Sequence, residues 1–237
     1  MYQKESPQTI QAMFNDIAKR YDLTNHVMSF SLHKYWNRTL VKSTVEINNP
    51  HVYLDLCSGT GDIGFDYLRF CKLNCKAYFI DFSQEMLKIA EQKEKKKVYK
   101  HHQITYLEAD VQAIPLPSAY ADRLTMAYGI RNVQNLEKCF NEAYRLLKPG
   151  GIFGILELTR PKNALVRIGH RFYLKKMLPL FGRLLNNNQD AYSYLSQSID
   201  TFTSPDDLEK LLKETGFYKT SKKSLSGGIA TILLAYK

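Results

Sequence analysis

The residues best placed to do chemistry are two glycines and the carboxylates around them: Asp55, Gly59, Thr60, Gly61 and Asp62, with Asp81 further on. Val52-Tyr53-Leu54-Asp55-Leu56 is an apolar run interrupted by one carboxylate, and a helical pattern begins after Gly61. The stretch therefore reads as strand, tight turn and helix N-terminus. Glycine at 59 and 61 removes the Cβ atoms that would hold a ligand off the backbone, and the free N–H groups of the following helix favour an anionic group. The same residues satisfy the dinucleotide pattern G-x-G-x-x-G over Gly59 to Gly64, with Asp81 20 residues beyond Gly61. Charge separates the two ligands. Asp55 and Asp62 would repel a pyrophosphate, whereas S-adenosylmethionine brings an ammonium and a sulfonium, so the loop favours a methyl donor over NAD. The competing structural reading is a glycine turn that only packs a helix on a sheet.

Further candidates follow along the chain. Asp81 closes a second apolar run and is placed to accept both hydroxyls of an adenosine ribose. Asp110-Val111 follows a third run; Asp110 could accept from an adenine amine or simply form a turn. Gly129-Ile130-Arg131-Asn132 lies directly behind a fourth, on the edge where an acceptor should sit, and a surface salt bridge is the plain alternative for Arg131. Near the N-terminus, Tyr21, Asp22, His26 and His33 are candidate acids and bases in an aromatic-rich stretch, Tyr21 to Trp36, that is too irregular for one helix face and could close over a site. Phe30, Tyr35 and Trp36 read as core or pocket wall.

The elements that must position these groups alternate. An amphipathic helix over Ile10 to Tyr21 precedes strand 51–57, a helix over 62–72, strand 76–81 and a helix from Ser83 to about 98. Strand 103–108, strand 123–128, a helix over 135–147 and strand 152–158 follow, with Lys148-Pro149-Gly150-Gly151 as a stop signal between the last two. Ser204-Pro205 opens a helix to about 215, and 217–224 and 229–236 supply a terminal hairpin. The pattern predicts a seven-stranded α/β sheet wound by helices. It forms a single domain over 1–237: an N-terminal helical lid (1–45), a cofactor-binding core (51–158), a cap inserted after the fifth strand (160–203) and a C-terminal helix and hairpin (204–237).

Composition narrows the class. A chain of 237 residues with 44% hydrophobic residues supports one elaborated α/β domain. Cys57, Cys71, Cys75 and Cys139 contain no C-x-x-C pair, so neither a His/Cys ligand cluster nor a bound metal is expected. The N-terminus lacks a signal-peptide core and no apolar run reaches membrane-spanning length, so a cytoplasmic protein is expected. The net charge of +10 implies an anionic partner. One basic cluster, Lys93 to His102, reads as a solvated helix end. The other (Arg160, Lys162, Arg167, Arg171, Lys175, Lys176, Arg183) has no acidic residue from Arg160 to Gln189 and interleaves with Leu165, Ile168, Phe172, Leu178 to Phe181 and Leu184-Leu185. That is the pattern of a surface-lying amphipathic segment over about 160–186, or of a lid helix with one solvated face.

The D-x-x-x-G-x-G loop, the acidic end of the second strand, the Ala-Asp-Val turn and the closing hairpin resemble a class I S-adenosylmethionine-dependent methyltransferase of Rossmann-like fold. Tyr21-Asp22-x-x-Asn25-x-x-Met28-Ser29-x-x-x-His33-x-x-Trp36 and Arg145-Leu-Leu-Lys148-Pro149-Gly150-Gly151-x-x-x-x-x-Glu157-x-Thr159 resemble the ubiquinone/menaquinone C-methyltransferases, from one end of the chain to the other. Cys57-Ser58, Thr24, Asp110-Val111 and Ala127 depart from that family's usual residues. The resemblance implies C-methylation of a membrane-borne polyprenyl quinol, demethylmenaquinol or a ubiquinone-pathway benzoquinol. It implies peripheral contact with the inner face of the membrane, no metal and no nucleic acid, and leaves a homodimer open. Asp55, Gly59, Thr60, Gly61, Asp81, Asp110 and Val111 become the expected cofactor residues, and Arg131, Asn132, Asp22 and His33 the expected catalytic ones. The competing classes are a methyltransferase acting on RNA or another soluble acceptor, and a non-catalytic assembly protein.

Overall fold

The computed structural model describes residues 6–18, 21–46, 49, 51–95, 102–177 and 189–237. Seven strands form one sheet: β1 (His51–Leu56), β2 (Cys75–Asp81), β3 (His102–Glu108), β4 (Ala121–Ala127), β5 (Leu147–Leu158), β6 (Lys219–Leu225) and β7 (Ala230–Tyr236), in the order β3-β2-β1-β4-β5-β7-β6. β1 to β5 run parallel, and β7 pairs antiparallel with both β5 and β6.

Alternation along the central strands builds a core on each face. Leu54, Leu56, Tyr78 and Ile80 point to one side, where α6 (Leu136–Leu146) and the helix Pro205–Thr215 cover them with Phe140, Ala143, Leu208 and Leu212. Tyr53, Ala77 and Phe79 point to the other. There α3 (Leu32–Thr44), α4 (Asp62–Phe70) and α5 (Gln84–Lys95) contribute Leu40, Val41, Phe65, Leu68, Leu87 and Ala90. Ser83 and Ser204 cap their helices as expected: Ser83 Oγ accepts from Met86 N and Ser204 Oγ from Asp207 N, and Gly216 ends the second helix at φ +116°.

Three expectations change. The N-terminal helix is shifted toward the N-terminus: α1 covers Pro7–Ile17, and Tyr21 opens a separate α2 (Tyr21–Met28). The irregular stretch resolves into α2 and α3, broken where Phe30 (φ +47°) and Ser31 (φ +63°) turn left-handed. Lys148-Pro149-Gly150-Gly151 does not precede the fifth strand but lies inside it, at a register shift against β4. Gly150 takes φ +80°, and Gly151 accepts from Lys237 N at the chain end.

The cysteine expectation also changes. None of the four is in a disulfide, but Cys71 and Cys75 meet His51 at the N-terminal ends of β1 and β2, with their ligating atoms within 4.8 Å of one another. Spacing did not show this because the histidine comes from another strand. In the cap, α7 covers Ala164–Phe172, and a further helix covers Gln189–Thr201. Arg183 and the apolar run from Leu178 to Leu185 lie outside the described residues, as do residues 96–101 of the first basic cluster. Among the described residues no helix is long and apolar enough to cross a membrane.

Candidate functional site

At the carboxyl end of β1 the backbone reverses through Cys57 (φ +54°), Gly59 (φ +52°) and Gly61 (φ +83°). Two buried carboxylates hold the turn. Asp55, 1% exposed, accepts from Gly64 N at 2.9 Å and from Thr125 Oγ1 at 2.7 Å. Burial pushes its pKa up to about 7 against those two bonds. Asp81 accepts from Gly59 N at 2.8 Å and Ser83 N at 2.9 Å, and burial raises it to about 6. The two glycines do different work. A Cβ on Gly61 would lie 2.8 Å from the Phe65 ring, so Gly61 serves packing, whereas a Cβ on Gly59 would meet nothing within 4 Å.

The open side of Gly59 belongs to a cavity of about 410 Å³. Met13, Phe14 and Ile17 of α1 roof it, Tyr21 and Asn25 come from α2, and His33 and Trp36 from α3; Tyr128 and Arg131 lie past β4, and Tyr173 and Tyr194 come from the cap. Three of the non-glycine residues with left-handed φ, Phe30, Cys57 and Tyr128, line this one cavity. Strained backbone of this kind clusters at functional sites. The N-terminal segment is tied over the loop. Gln11 Nε2 donates to Phe82 O, Ser83 Oγ to Asn15 Oδ1 at 2.6 Å, and Thr60 Oγ1 to Asp22 at 2.6 Å, while Lys93 bridges Asp22 and Asp62.

Arg131 sits in a single 3₁₀ turn (Ile130–Asn132) after β4. Its Nη1 meets Glu157 Oε1 of β5 at 2.5 Å, with side chains 7% and 2% exposed. The salt bridge foreseen at the surface is therefore internal. Burial works against the guanidinium, but Glu157 overrides it and raises the Arg131 pKa. Arg131 Nε and Ser58 Oγ are both buried, both without a hydrogen-bond partner, and both belong to residues of the cavity wall. Unpartnered donors on cavity-wall residues fit a polar ligand, and the Gly59 edge fits one that approaches the backbone. The loop therefore suits a nucleoside-type methyl donor.

His33 has a readable tautomer. Ser29 Oγ donates its single proton to Asn25 O at 2.6 Å, so toward His33 Nδ1, 2.5 Å away, it can only accept. Nδ1 therefore carries the ring proton, and Nε2 keeps its lone pair. Burial lowers the His33 pKa, which keeps the ring neutral.

Of the expected residues, Gly59, Arg131 and His33 meet at the cavity. Asp55, Gly61 and Thr60 stand behind the loop and shape it. Val111 is in the core, and the exposed Asp110 is occupied by Gln112 N and Nε2, so neither reaches the cavity wall. Asp22 is a latch to Lys93 and Thr60 rather than a free base. Asn132 lies one step back, its Oδ1 accepting from Tyr194 at 2.8 Å. Sequence reasoning missed Ser58, Tyr128, Tyr194 and the counter-ion role of Glu157. For Glu157 the signal was available, as an acid inside an otherwise apolar strand.

The profile of the ubiE/COQ5 methyltransferase family matches residues 2–237. A relative from Protochlamydia amoebophila named demethylmenaquinone methyltransferase is 52% identical, covering 100% of this chain and 98% of its own. A Rickettsia bellii relative named ubiquinone/menaquinone biosynthesis C-methyltransferase UbiE is 35% identical, covering 98% of this chain and 94% of its own. Among solved structures, an S-adenosylmethionine-dependent methyltransferase of Thermotoga maritima superposes with TM-score 0.65 at 17% identity, covering 95% of this chain and 98% of that one. An Aquifex aeolicus methyltransferase gives 0.64 at 17% identity, covering 93% and 97%. At these identities the two structures speak to the fold alone.

Proposed function

This chain belongs to the ubiE/COQ5 methyltransferase family, and from that premise we propose that it methylates a ring carbon of demethylmenaquinol with S-adenosylmethionine as donor. It is an S-adenosylmethionine-dependent C-methyltransferase of quinone biosynthesis. The naphthoquinol is preferred over a benzoquinol because the 52% identical relative carries the demethylmenaquinone name. The observation that carries the reading is one cavity that joins the Gly59 loop to an apolar chamber containing a neutral histidine and a buried arginine.

When bound, S-adenosylmethionine supplies an electrophilic methyl group. Ser58 and the Gly59 backbone would hold it, with Asp81 offering the lone pairs left on its two oxygens, and Asp55, Thr60 and Gly61 keeping the loop in shape. The acceptor ring becomes nucleophilic at carbon when an adjacent hydroxyl gives up its proton. We assign that proton to Nε2 of His33 and the stabilisation of the resulting phenolate to Arg131, whose Nε has no partner; the methylated carbon then gives up its own proton as the ring oxygen is reprotonated, restoring the aromatic ring with one proton released overall. Asn132 positions Tyr194. Fixing donor and ring in line contributes on the order of 7–11 kcal/mol, so the cavity walls supply much of the rate.

The quinol is lipophilic, and α7 suits its delivery. Gly169, His170 and the following Tyr173 face the cavity, while Leu165, Ile168 and Phe172 are 81%, 66% and 62% exposed and are flanked by Arg167 and Arg171. An apolar stripe with basic flanks is the form of a helix that lies in an anionic lipid surface, and we assign α7 that role.

Labelled methyl transfer from S-adenosylmethionine to reduced demethylmenaquinone, to a demethylated ubiquinol precursor and to bulk RNA tests the assignment. Label on the naphthoquinol is expected. Label on the benzoquinol alone changes the acceptor, and label in RNA alone overturns the reading.

A further inference from the structure

At the N-terminal ends of the strands, opposite the cavity, His51 opens β1, Cys75 opens β2 and Cys71 ends α4. All three are buried, and His51 nitrogen and the two sulfurs lie within 4.8 Å of one another. We propose that this trio is a binding site for a thiophilic d¹⁰ cation of the Zn²⁺ type, with Cys71 Sγ, Cys75 Sγ and His51 Nε2 as ligands.

The imidazole is set for this. His51 Nδ1 lies 2.9 Å from the backbone carbonyl of Asn49, an acceptor only, so Nδ1 carries the proton and Nε2 presents a lone pair. A metal-bound histidine is fixed in the same way, by donating its other ring nitrogen to a carbonyl. Nε2 is 3.8 Å from Cys71 Sγ. With Zn–S of about 2.3 Å and Zn–N of about 2.0–2.1 Å, two ligands at a tetrahedral angle are separated by about 3.6 Å, so this pair needs an adjustment of only tenths of an ångström, and the other pairs, all within 4.8 Å, need to close by about an ångström at most. The Tyr67 hydroxyl lies 2.9 Å from Nε2 and would yield that lone pair to the ion, and its ring is held by stacking on Tyr53 at 3.7 Å.

Charge also balances. Binding releases one proton from each thiol, and two thiolates, a neutral imidazole and a divalent cation sum to zero, which a buried site tolerates. Without an ion, the Tyr67 hydroxyl and Cys71 Sγ both meet the one imidazole lone pair, and Cys75 hydrogen-bonds to Cys71. The ion would join the start of β1, the end of α4 and the start of β2, a structural tie remote from methyl transfer.

The test uses the full-length enzyme, reduced and stripped with a chelator, then titrated with Zn²⁺ against a competing chromogenic chelator. One ion per chain with sub-micromolar affinity is expected, weakened at least roughly a hundredfold in Cys71→Ser and in Cys75→Ser and unchanged in Cys139→Ser. Saturation at about 100 times Kd should raise the Tm by roughly 5–10 °C in the unmodified enzyme and not in the double variant. Co²⁺ on the unmodified enzyme should give a thiolate-to-metal charge-transfer band, a readout that does not depend on any variant folding. Stripped Cys71→Ser should still transfer methyl groups. Loss of zinc at micromolar concentration, a less than tenfold effect of both serine variants, or a Co²⁺ spectrum without thiolate bands overturns the proposal. So does recovery of the stripped protein with Cys71 and Cys75 as a disulfide that no metal prevents.

Discussion

A phenol next to a cationic guanidinium needs a neutral base, and His33 is kept neutral by burial and kept in the accepting tautomer by Ser29. His33→Gln should therefore lower kcat by about 10²–10⁴-fold with little change in S-adenosylmethionine affinity, and should abolish the acidic limb of the rate profile. Because burial lowers the His33 pKa, that limb lies on the acid side of the ordinary imidazole value, and the rate is level by neutral pH. A variant with the parent's limb and turnover would remove His33 from the chemistry. At this scale the sequence carried residue types better than partners. Asp55 and Gly61 stood out as ligand groups, yet their positions make them the frame of the loop, because a motif records what must be near the ligand and not which atoms are left free. Ser58 went unnoticed because an unpartnered hydroxyl has no sequence signal. Arg131 was legible as a candidate through its place after β4, but its internal counter-ion came from another strand.

Elements were legible wherever apolar spacing was regular. Apart from the start of β5, all seven strands fall within a few residues of their expected places: β1, β2, β4 and β5 read as apolar runs because both faces are largely buried, whereas the exposed β6 was legible only through the hairpin it shares with β7. What the sequence left unresolved falls where the backbone turns left-handed: Phe30-Ser31 divides the irregular stretch between α2 and α3, and Gly150 is a bulge inside β5 rather than a turn before it. The cap shows what composition could and could not supply. Its basic-apolar interleaving was evident, but only the structure divides α7 into a face on the cavity and an outward stripe of Leu165, Ile168 and Phe172. Replacing those three with serine should strip the enzyme from anionic vesicles and raise the apparent KM for a long-tailed quinol about tenfold or more. Turnover of a tail-less analogue should stay near that of the parent. Vesicle co-sedimentation checks the first effect, and equal loss on both acceptors would assign α7 to folding instead of docking.

Across the whole molecule, the sheet places its cavity at the carboxyl ends of its central strands, and the loop that borders it is held by carboxylates buried inside the domain. Asp55 is the extreme case: burial raises it to about 7, above the ordinary carboxylate range near 4. Between those two values the folded protein keeps a proton that the unfolded chain has released, so stability falls as pH rises and levels off above about 7. A shift of this size corresponds to roughly 4 kcal/mol at most. Asp81, raised to about 6, acts in the same direction over a narrower window. Asp55→Asn keeps an oxygen for Gly64 N and removes the charge, so its urea midpoint should decline less than the parent's between pH 4 and pH 7 and exceed it at pH 7. Unfolding curves across that range check this, and parallel slopes for the two proteins would refute it. The charge that costs stability also serves the ligand. A sulfonium and an ammonium beside the loop favour the ionised carboxylates, so donor affinity should rise over the same interval in which the ligand-free protein weakens. Asp55→Asn should lose most of that rise along with most of the stability gradient, leaving the smaller share that belongs to Asp81.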